Sequence, residues 1–288
     1  MGRSELLRAC LESMRPVNSA MLGFAVLVGA LIASGSPPPL GLALPAFVAG
    51  FAVGASAMVL NDIADVEIDR VNAPHRPIPS GRMSVAAAWA CFAALSLAGL
   101  AAAAYTGVGT LAVALAAWAS SVAYNLKLKR SGLPGNAIVA FNVAVPLLYG
   151  GALVGRLRGV IVVFWAMVFL SALAREIVKG IADVEGDRAA GVATVAVRRG
   201  PRAAATAAAA LYLLAVALSP LPALKGWVHT LGYSLPVAVV DAVFVYAALR
   251  VARRPDRETA LWHKRVVLIA MLIGLVGFYL GVSLRGAA

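Results

Sequence analysis

The chain has 288 residues, 61% hydrophobic and only 13% charged, with repeated apolar runs longer than about eighteen residues. Those proportions exclude a soluble domain, and the lack of period-two alternation in runs such as AMLGFAVLVGALIAS excludes a membrane β-barrel. The net charge of +12 would suit nucleic acid, but the basic residues lie in short segments between apolar runs, as juxtamembrane charges do, so no nucleic-acid partner is expected.

Residues 1–16 read as an amphipathic lead-in, with Leu6, Leu7, Cys10, Leu11 and Met14 at helical spacing. Glu5 and Glu12 among its arginines do not fit a cleavable signal peptide, so the first apolar run is expected to stay as an anchor. Nine spans are predicted, at residues 17–34, 40–62, 84–104, 110–124, 137–154, 160–180, 202–219, 231–250 and 265–284. The consecutive prolines of GSPPP (35–39) end the first, because a helix interior cannot run through them. Polar segments interrupt the apolar pattern at 61–81, 124–136 and 175–194, and the chain 1–288 reads as a single transmembrane domain. Cys10 and Cys91 lack metal-ligand spacing and read as structural.

With the N-terminus in the cytoplasm, 21 of the 25 basic residues fall on the cytoplasmic side, leaving Arg156, Arg158, Lys225 and Arg285 outside. The expectation is a multi-pass protein of the cell membrane with all three polar segments on its cytoplasmic face.

The first polar segment holds Asp62, Asp65, Glu67 and Asp69 within eight residues. Asn61, Asp65 and Asp69 are spaced by four, and if the second span's helix continues through them they form one stripe with neighbours about 5–6 Å apart. Carboxylates so placed repel and need a counter-cation. Oxygen donors with no histidine or cysteine nearby favour Mg²⁺ over zinc. Asp183 and Asp187 repeat the spacing after the sixth span, with Glu185 between them and Gly186 and Gly191 to let the chain turn. Because Mg²⁺ takes one or two carboxylates and fills its shell with substrate phosphates, the two segments together read as a diphosphate site. Arg76, Lys127, Lys129, Arg130 and Lys179 lie on the same face and are candidates for the anion clamp.

Each segment alone also reads as ordinary solvated helix-end charge; it is the pairing on one face that favours a site. Arg15-Pro16 with Asn18 also fits a plain helix start. Trp118 and Tyr124 read as interfacial aromatics, and His75, His229 and His263 as solvated or interfacial residues.

The two motifs, NDxxDxxxD after the second span and DxxxD after the sixth, resemble the UbiA superfamily of intramembrane prenyltransferases, and the resemblance covers nearly the whole chain. Within it, VNAPHRPIPSG (71–81) and REIVKGIADVEGDRAAGVAT (175–194) are similar to segments of the archaeal digeranylgeranylglyceryl phosphate synthases, with a departure at Gly180, where an acid is common. The resemblance implies an all-α fold of nine transmembrane helices in a ring around a central cavity open sideways to lipid. It implies that Asn61, Asp65, Asp69, Asp183 and Asp187 hold Mg²⁺ on a prenyl diphosphate, with Asp65, Asp183 and Lys127 as the catalytic groups. Tyr124, Asn125, Lys127 and Arg130 in the loop between the fourth and fifth spans, with Arg76, would contact or cap the diphosphate. Arg15, Asn18 and Lys179 would line the pocket.

The reaction so implied is transfer of a geranylgeranyl group from its diphosphate to the glycerol hydroxyl of geranylgeranylglyceryl phosphate, a small anionic acceptor lipid. No serine–histidine or cysteine–histidine pair lies near the motifs, so a covalent enzyme intermediate is not expected. Two other readings stay open. An aromatic acceptor such as 4-hydroxybenzoate carries a carboxylate that suits the same basic loops. A cation transporter would use acids near mid-span, where Asp241 is the sole candidate. The glycine-arginine-bearing aspartate pattern of CDP-alcohol phosphotransferases is absent.

Overall fold

The computed structural model describes residues 3–189 and 191–285; Met1, Gly2, Ala190 and residues 286–288 lie outside it, as do the side chains of Arg3, Val71 and Asn72. The helices are α1 (Arg3–Met14), α2 (Pro16–Ser34), α3 (Leu40–Ala64), α4 (Val66–Asn72), α5 (Val85–Thr106), α6 (Val108–Ala123), α7 (Leu133–Leu153), α8 (Gly159–Ala182), α9 (Val184–Ala189), α10 (Val195–Leu218), α11 (Leu221–Leu224), α12 (Thr230–Arg253) and α13 (Arg257–Ser283). Among the described residues there is no strand, and nine helices are long and apolar enough to cross a membrane. They are the nine expected, to within a few residues at most ends. The two larger differences are α10 and α13, which start about two turns before the apolar runs they carry. In α10 the early start is interrupted: Gly200, at φ 84°, breaks the helix before Pro201, which cannot continue it.

Each span packs against the next in chain order, and α13 packs back on α2, closing a ring. Lipid offers no hydrophobic drive for helix association, so such contacts depend on close backbone approach at small residues. The crossing of α2 and α7 shows this. A Cβ on Gly150 would stand 2.2 Å from the backbone nitrogen of Ala30, and one on Gly29 would stand 2.4 Å from the carbonyl oxygen of Leu147. Gly150→Ala is therefore expected to lower stability by about 1–3 kcal/mol through overpacking. Gly41→Ala, where nothing lies within 4 Å, serves as the neutral control in a detergent thermal-unfolding assay.

Inside the ring, α2, α7, α8, α10, α12 and α13 line an apolar cavity whose walls include Leu147, Met167, Phe244, Leu275 and Phe278. At the end away from the aspartate segments it is closed by an aromatic stack. The Phe164 and Phe278 ring centroids are 3.9 Å apart, and Tyr233 lies 5.6 Å from Phe164. Asp241 is the one acid in the cavity wall, and its Oδ2 accepts a 2.6 Å bond from the Ser219 hydroxyl.

The lead-in helix α1 is joined to α5 by a Cys10–Cys91 disulfide, in keeping with the structural reading of both cysteines. Two expectations are corrected. His263 is neither solvated nor interfacial: it is 0% exposed, packed 5.4 Å from the Tyr212 ring between α10 and α13. Trp118 is turned into the bundle, where its indole N–H donates to Ser96 at 3.0 Å.

Candidate active site

The first aspartate segment does not run on as one helix. The α-helix stops at Ala64 and resumes at Val66, with Asp65 at φ −98°, ψ 4° between them. The second segment does the same, with α8 ending at Ala182 and Asp183 at φ −104°, ψ 10°. In both, the four-residue backbone bonds continue across the break: Asp65 N–H to Asn61 O and Asp69 N–H to Asp65 O, then Asp183 N–H to Lys179 O and Asp187 N–H to Asp183 O. The shared geometry has a shared cause. Residues 63–69 read IADVEID and residues 181–187 read IADVEGD, identical at all but one position. This duplicated heptapeptide is legible in the sequence and sharpens the simple DxxxD spacing.

The duplication also shows where the two segments differ. In register, Asn61 corresponds to Lys179 and Asp62 to Gly180. One copy thus offers a neutral oxygen donor where the other offers a cation. Asn61 donates its amide N–H to Asn125 Oδ1 at 3.2 Å, which leaves its own carbonyl oxygen available as a ligand. Asn125 is itself held by a 2.9 Å bond to the Ser121 carbonyl. Lys179 lies 3.5 Å from Glu176. Gly180 packs in ordinary contact range of Thr194, the N-cap of α10.

Basic side chains meet the aspartates one by one. Lys129 is ion-paired with Asp65. Arg76 pairs with Asp69 and stands 3.6 Å from Asp62. Arg15 reaches the same Asp62 oxygen at 2.8 Å. Among the described residues Arg15 is the only non-glycine with positive φ, at 47°, a left-handed conformation costing roughly 1–2 kcal/mol that the ion pair helps to hold. Asp62, 5% exposed at its side chain, is thus a buried anion shared by two guanidiniums, an anchor between α2, α3 and the segment after α4.

The two segments are linked electrostatically. Lys129, on the Asp65 carboxylate, also acts on Asp187, and Tyr124 lies within electrostatic range of Asp65, Asp187, Glu176 and Lys179 together. The loop that carries Lys129 and Tyr124 is fastened to the loop after the second segment by the Ala193 N–H to Arg130 carbonyl bond of 3.3 Å. Gly132, at φ 74°, allows this contact, because a Cβ there would lie 2.0 Å from the Ala193 oxygen.

Not every expected residue joins this cluster. Lys127 and Arg130 are exposed and their side chains make no hydrogen bond or ion pair among the described residues. Asn18 is half-buried on α2 and likewise has no partner among them. The lysine at the aspartates is Lys129 rather than Lys127. Residues Tyr124–Leu128 form a wide π-turn followed by a tight 3₁₀ turn over Lys129–Ser131, so α-helical spacing does not apply there.

The donor set fits Mg²⁺. Asn61, Asp65, Asp69, Asp183 and Asp187 carry hard oxygens, the donor type Mg²⁺ takes, with the rest of its shell coming from water and phosphate. Among the described residues no three histidine, cysteine or carboxylate side chains are gathered close enough to hold a metal by themselves. Asp187 has its pKa raised to about 6, first by burial and then by the neighbouring Asp183 charge. The sign follows from the raised value. Folded protein binds this proton more tightly than the unfolded chain, so metal-free protein gains stability as pH falls from about 6 towards 3.8. Cation binding moves the opposite way, since it needs the carboxylate. The Mg²⁺ concentration for half-maximal turnover is expected to rise about tenfold per pH unit below pH 6, and Asp187→Asn should flatten that rise.

Comparison with known proteins agrees with this geometry. The UbiA prenyltransferase family model matches residues 22–272. The chain is 35% identical to the digeranylgeranylglyceryl phosphate synthase of Archaeoglobus fulgidus over 279 residues, covering 96% of this chain and 95% of that one. It is 34% identical to the Thermococcus kodakarensis protein of the same name, covering 96% and 99%. A solved structure of a digeranylgeranylglyceryl phosphate synthase superposes with a TM-score of 0.79 at 32% identity, over 97% of this chain and 99% of that one. A UbiA homolog from Archaeoglobus fulgidus bound to GPP and Mg²⁺ shares the fold, with a TM-score of 0.66 at 17% identity over 94% and 99%. A nine-helix ring with paired aspartate segments at one end, matched over nearly its whole length by such relatives, belongs to the UbiA prenyltransferase family.

Proposed function

We propose that this chain transfers a geranylgeranyl group from geranylgeranyl diphosphate to the glycerol hydroxyl of geranylgeranylglyceryl phosphate, as one membrane domain with its site facing the cytoplasm. The reading is supported by the Lys129–Asp65 ion pair, by the duplicated aspartate heptapeptide whose second copy carries Asp183 and Asp187, and by the apolar cavity within the same ring. The choice of acceptor is supported by the name shared by relatives of 34–35% identity.

Depth supports the choice of donor. Along α8, Ser171 and Met167 in the cavity wall precede Asp183 by 12 and 16 residues, about 18–24 Å at 1.5 Å per residue. Four isoprene units, each four backbone bonds of about 1.5 Å in a zigzag, extend to roughly 20 Å. A tail of that length ends between Ser171 and Met167, on the aspartate side of the aromatic stack. Phe278→Ala is therefore expected to raise use of a five-unit donor relative to the four-unit donor by about tenfold or more, read from product masses in a competition assay.

In this scheme Asn61, Asp65, Asp69, Asp183 and Asp187 hold Mg²⁺, which when bound supplies electrostatic stabilisation to the departing diphosphate. Lys129 and Lys179 add positive charge where the leaving oxygens develop negative charge. Asn125 orients the Asn61 amide, and Asp62 fixes Arg15 and Arg76 at the rim. The ring walls keep water from the allylic carbon while the acceptor hydroxyl attacks it. The decisive assay offers purified protein geranylgeranyl diphosphate with geranylgeranylglyceryl phosphate and 4-hydroxybenzoate in equal amounts. The ether-lipid product should dominate; a prenylated ring as the main product would move the enzyme to the aromatic-acceptor group.

A further inference from the structure

The end of the ring away from the aspartates carries only Arg156, Arg158, Lys225 and Arg285 of the 25 basic residues, and its connecting segments hold none of the 13 acids. Even so, two of those four cations converge. Arg158 and Arg285 line one recess, together with Trp227, Ile32, Val160 and Val282. Two arginines line this recess and the connecting segments of that end hold no acidic side chain, so the recess suits an external anion.

The local geometry specifies the anion further. Arg285 donates to the Trp227 carbonyl at 2.9 Å, which holds it at the recess; its side chain makes no other hydrogen bond among the described residues. Arg158 makes no side-chain bond among the described residues and sits at the start of α8, a helix of 24 residues with no side-chain cap. The first backbone N–H groups of that helix, at Gly159 and Val160, have no intrahelical acceptor, and both residues line the recess. Arginine pairs and helix N-termini both favour phosphate oxygens. Ile32, Val160 and Val282, 2%, 6% and 6% exposed, are packed beneath the recess, and its accessible apolar wall is the half-buried Trp227 ring. Trp227 adds the amphipathic ring typical of the headgroup layer. A free phosphate would leave that apolar wall unused, whereas a lipid would cover it with the start of a chain.

We propose that this recess binds the phosphate headgroup of an anionic membrane lipid, held by Arg158, Arg285 and the α8 N-terminus, with the first chain segment against the Trp227 ring. The site is separate from the prenyl-transfer centre, from which α8 separates it by its full length.

Native mass spectrometry of the full chain from nanodiscs of equal phosphatidylglycerol and phosphatidylcholine tests this. Wild-type protein should retain one phosphatidylglycerol in preference to phosphatidylcholine by about tenfold, as two nearby cations would give. The double variant Arg158→Gln/Arg285→Gln should lose the preference, while Arg156→Gln, on the same loop but outside the recess, keeps it. Millimolar inorganic phosphate should leave the retained lipid in place. No preference in wild type, or an equal loss in Arg156→Gln, overturns the proposal. Displacement by inorganic phosphate also overturns it, because the ligand would then be a free anion. Thermal unfolding of each variant separates loss of lipid from loss of fold.

Discussion

Asp65→Ala and Asp183→Ala should each reduce prenyl transfer by at least about 10²–10³-fold in kcat, the loss typical when a group stabilising developing charge is removed. The expectation rests on position. Both residues stand at the break of a duplicated heptapeptide, with nearly the same backbone angles, and Lys129 acts on both segments. If the two carboxylates serve one diphosphate, their effects will not add: the double variant should be little worse than either single one, as in other groups that act as a unit. Two independent sites would instead multiply the losses. Lys129→Ala should be milder than either aspartate variant and should act mainly on KM, since it removes charge but no metal ligand. Unchanged turnover in both aspartate variants would remove the two-segment site altogether.

Asp62→Ala should be the most destabilising single change at the rim. It removes the anion that Arg15 and Arg76 share: Arg15 loses its ion-pair partner, while Arg76 keeps Asp69. Breaking a buried pair costs about 3–5 kcal/mol; because the two guanidiniums keep 34% and 32% of their side-chain surface exposed, about 2–3 kcal/mol is expected. Arg15 would also lose the contact that holds its left-handed backbone. Thermal unfolding in detergent gives the stability loss. Turnover at a temperature where the variant is still folded tells whether Asp62 serves the reaction beyond anchoring. The account expects a smaller kinetic loss than for Asp65, since Asp62 faces arginines rather than the diphosphate.

The nine spans were legible because a bilayer demands long apolar runs whatever their partners. The polar segments were legible because acids at a span's end stand out against that background. The fate of individual side chains was less so. Asp62 sits among three other acids in sequence, and nothing local says that Arg15, 47 positions earlier, claims it. Lys127 and Lys129 are the same residue type two positions apart, and the wide turn over Tyr124–Leu128, which no helical pattern shows, decides which of them meets Asp65. His263 stands beside Lys264 and Arg265, which reads as solvent, yet the helix turns it inward against Tyr212. The break at Asp65 was also unreadable from spacing, although the copy at Asp183 shows that the heptapeptide carries it.

The central claim is that both aspartate segments bind one diphosphate through Mg²⁺. Calorimetric titration of a non-reacting geranylgeranyl thiolodiphosphate, with and without Mg²⁺, measures this without turnover. The account predicts that Mg²⁺ tightens binding to the wild-type chain and that Asp65→Asn and Asp183→Asn each abolish the tightening. Mg²⁺-dependent binding that survives in either variant would contradict it.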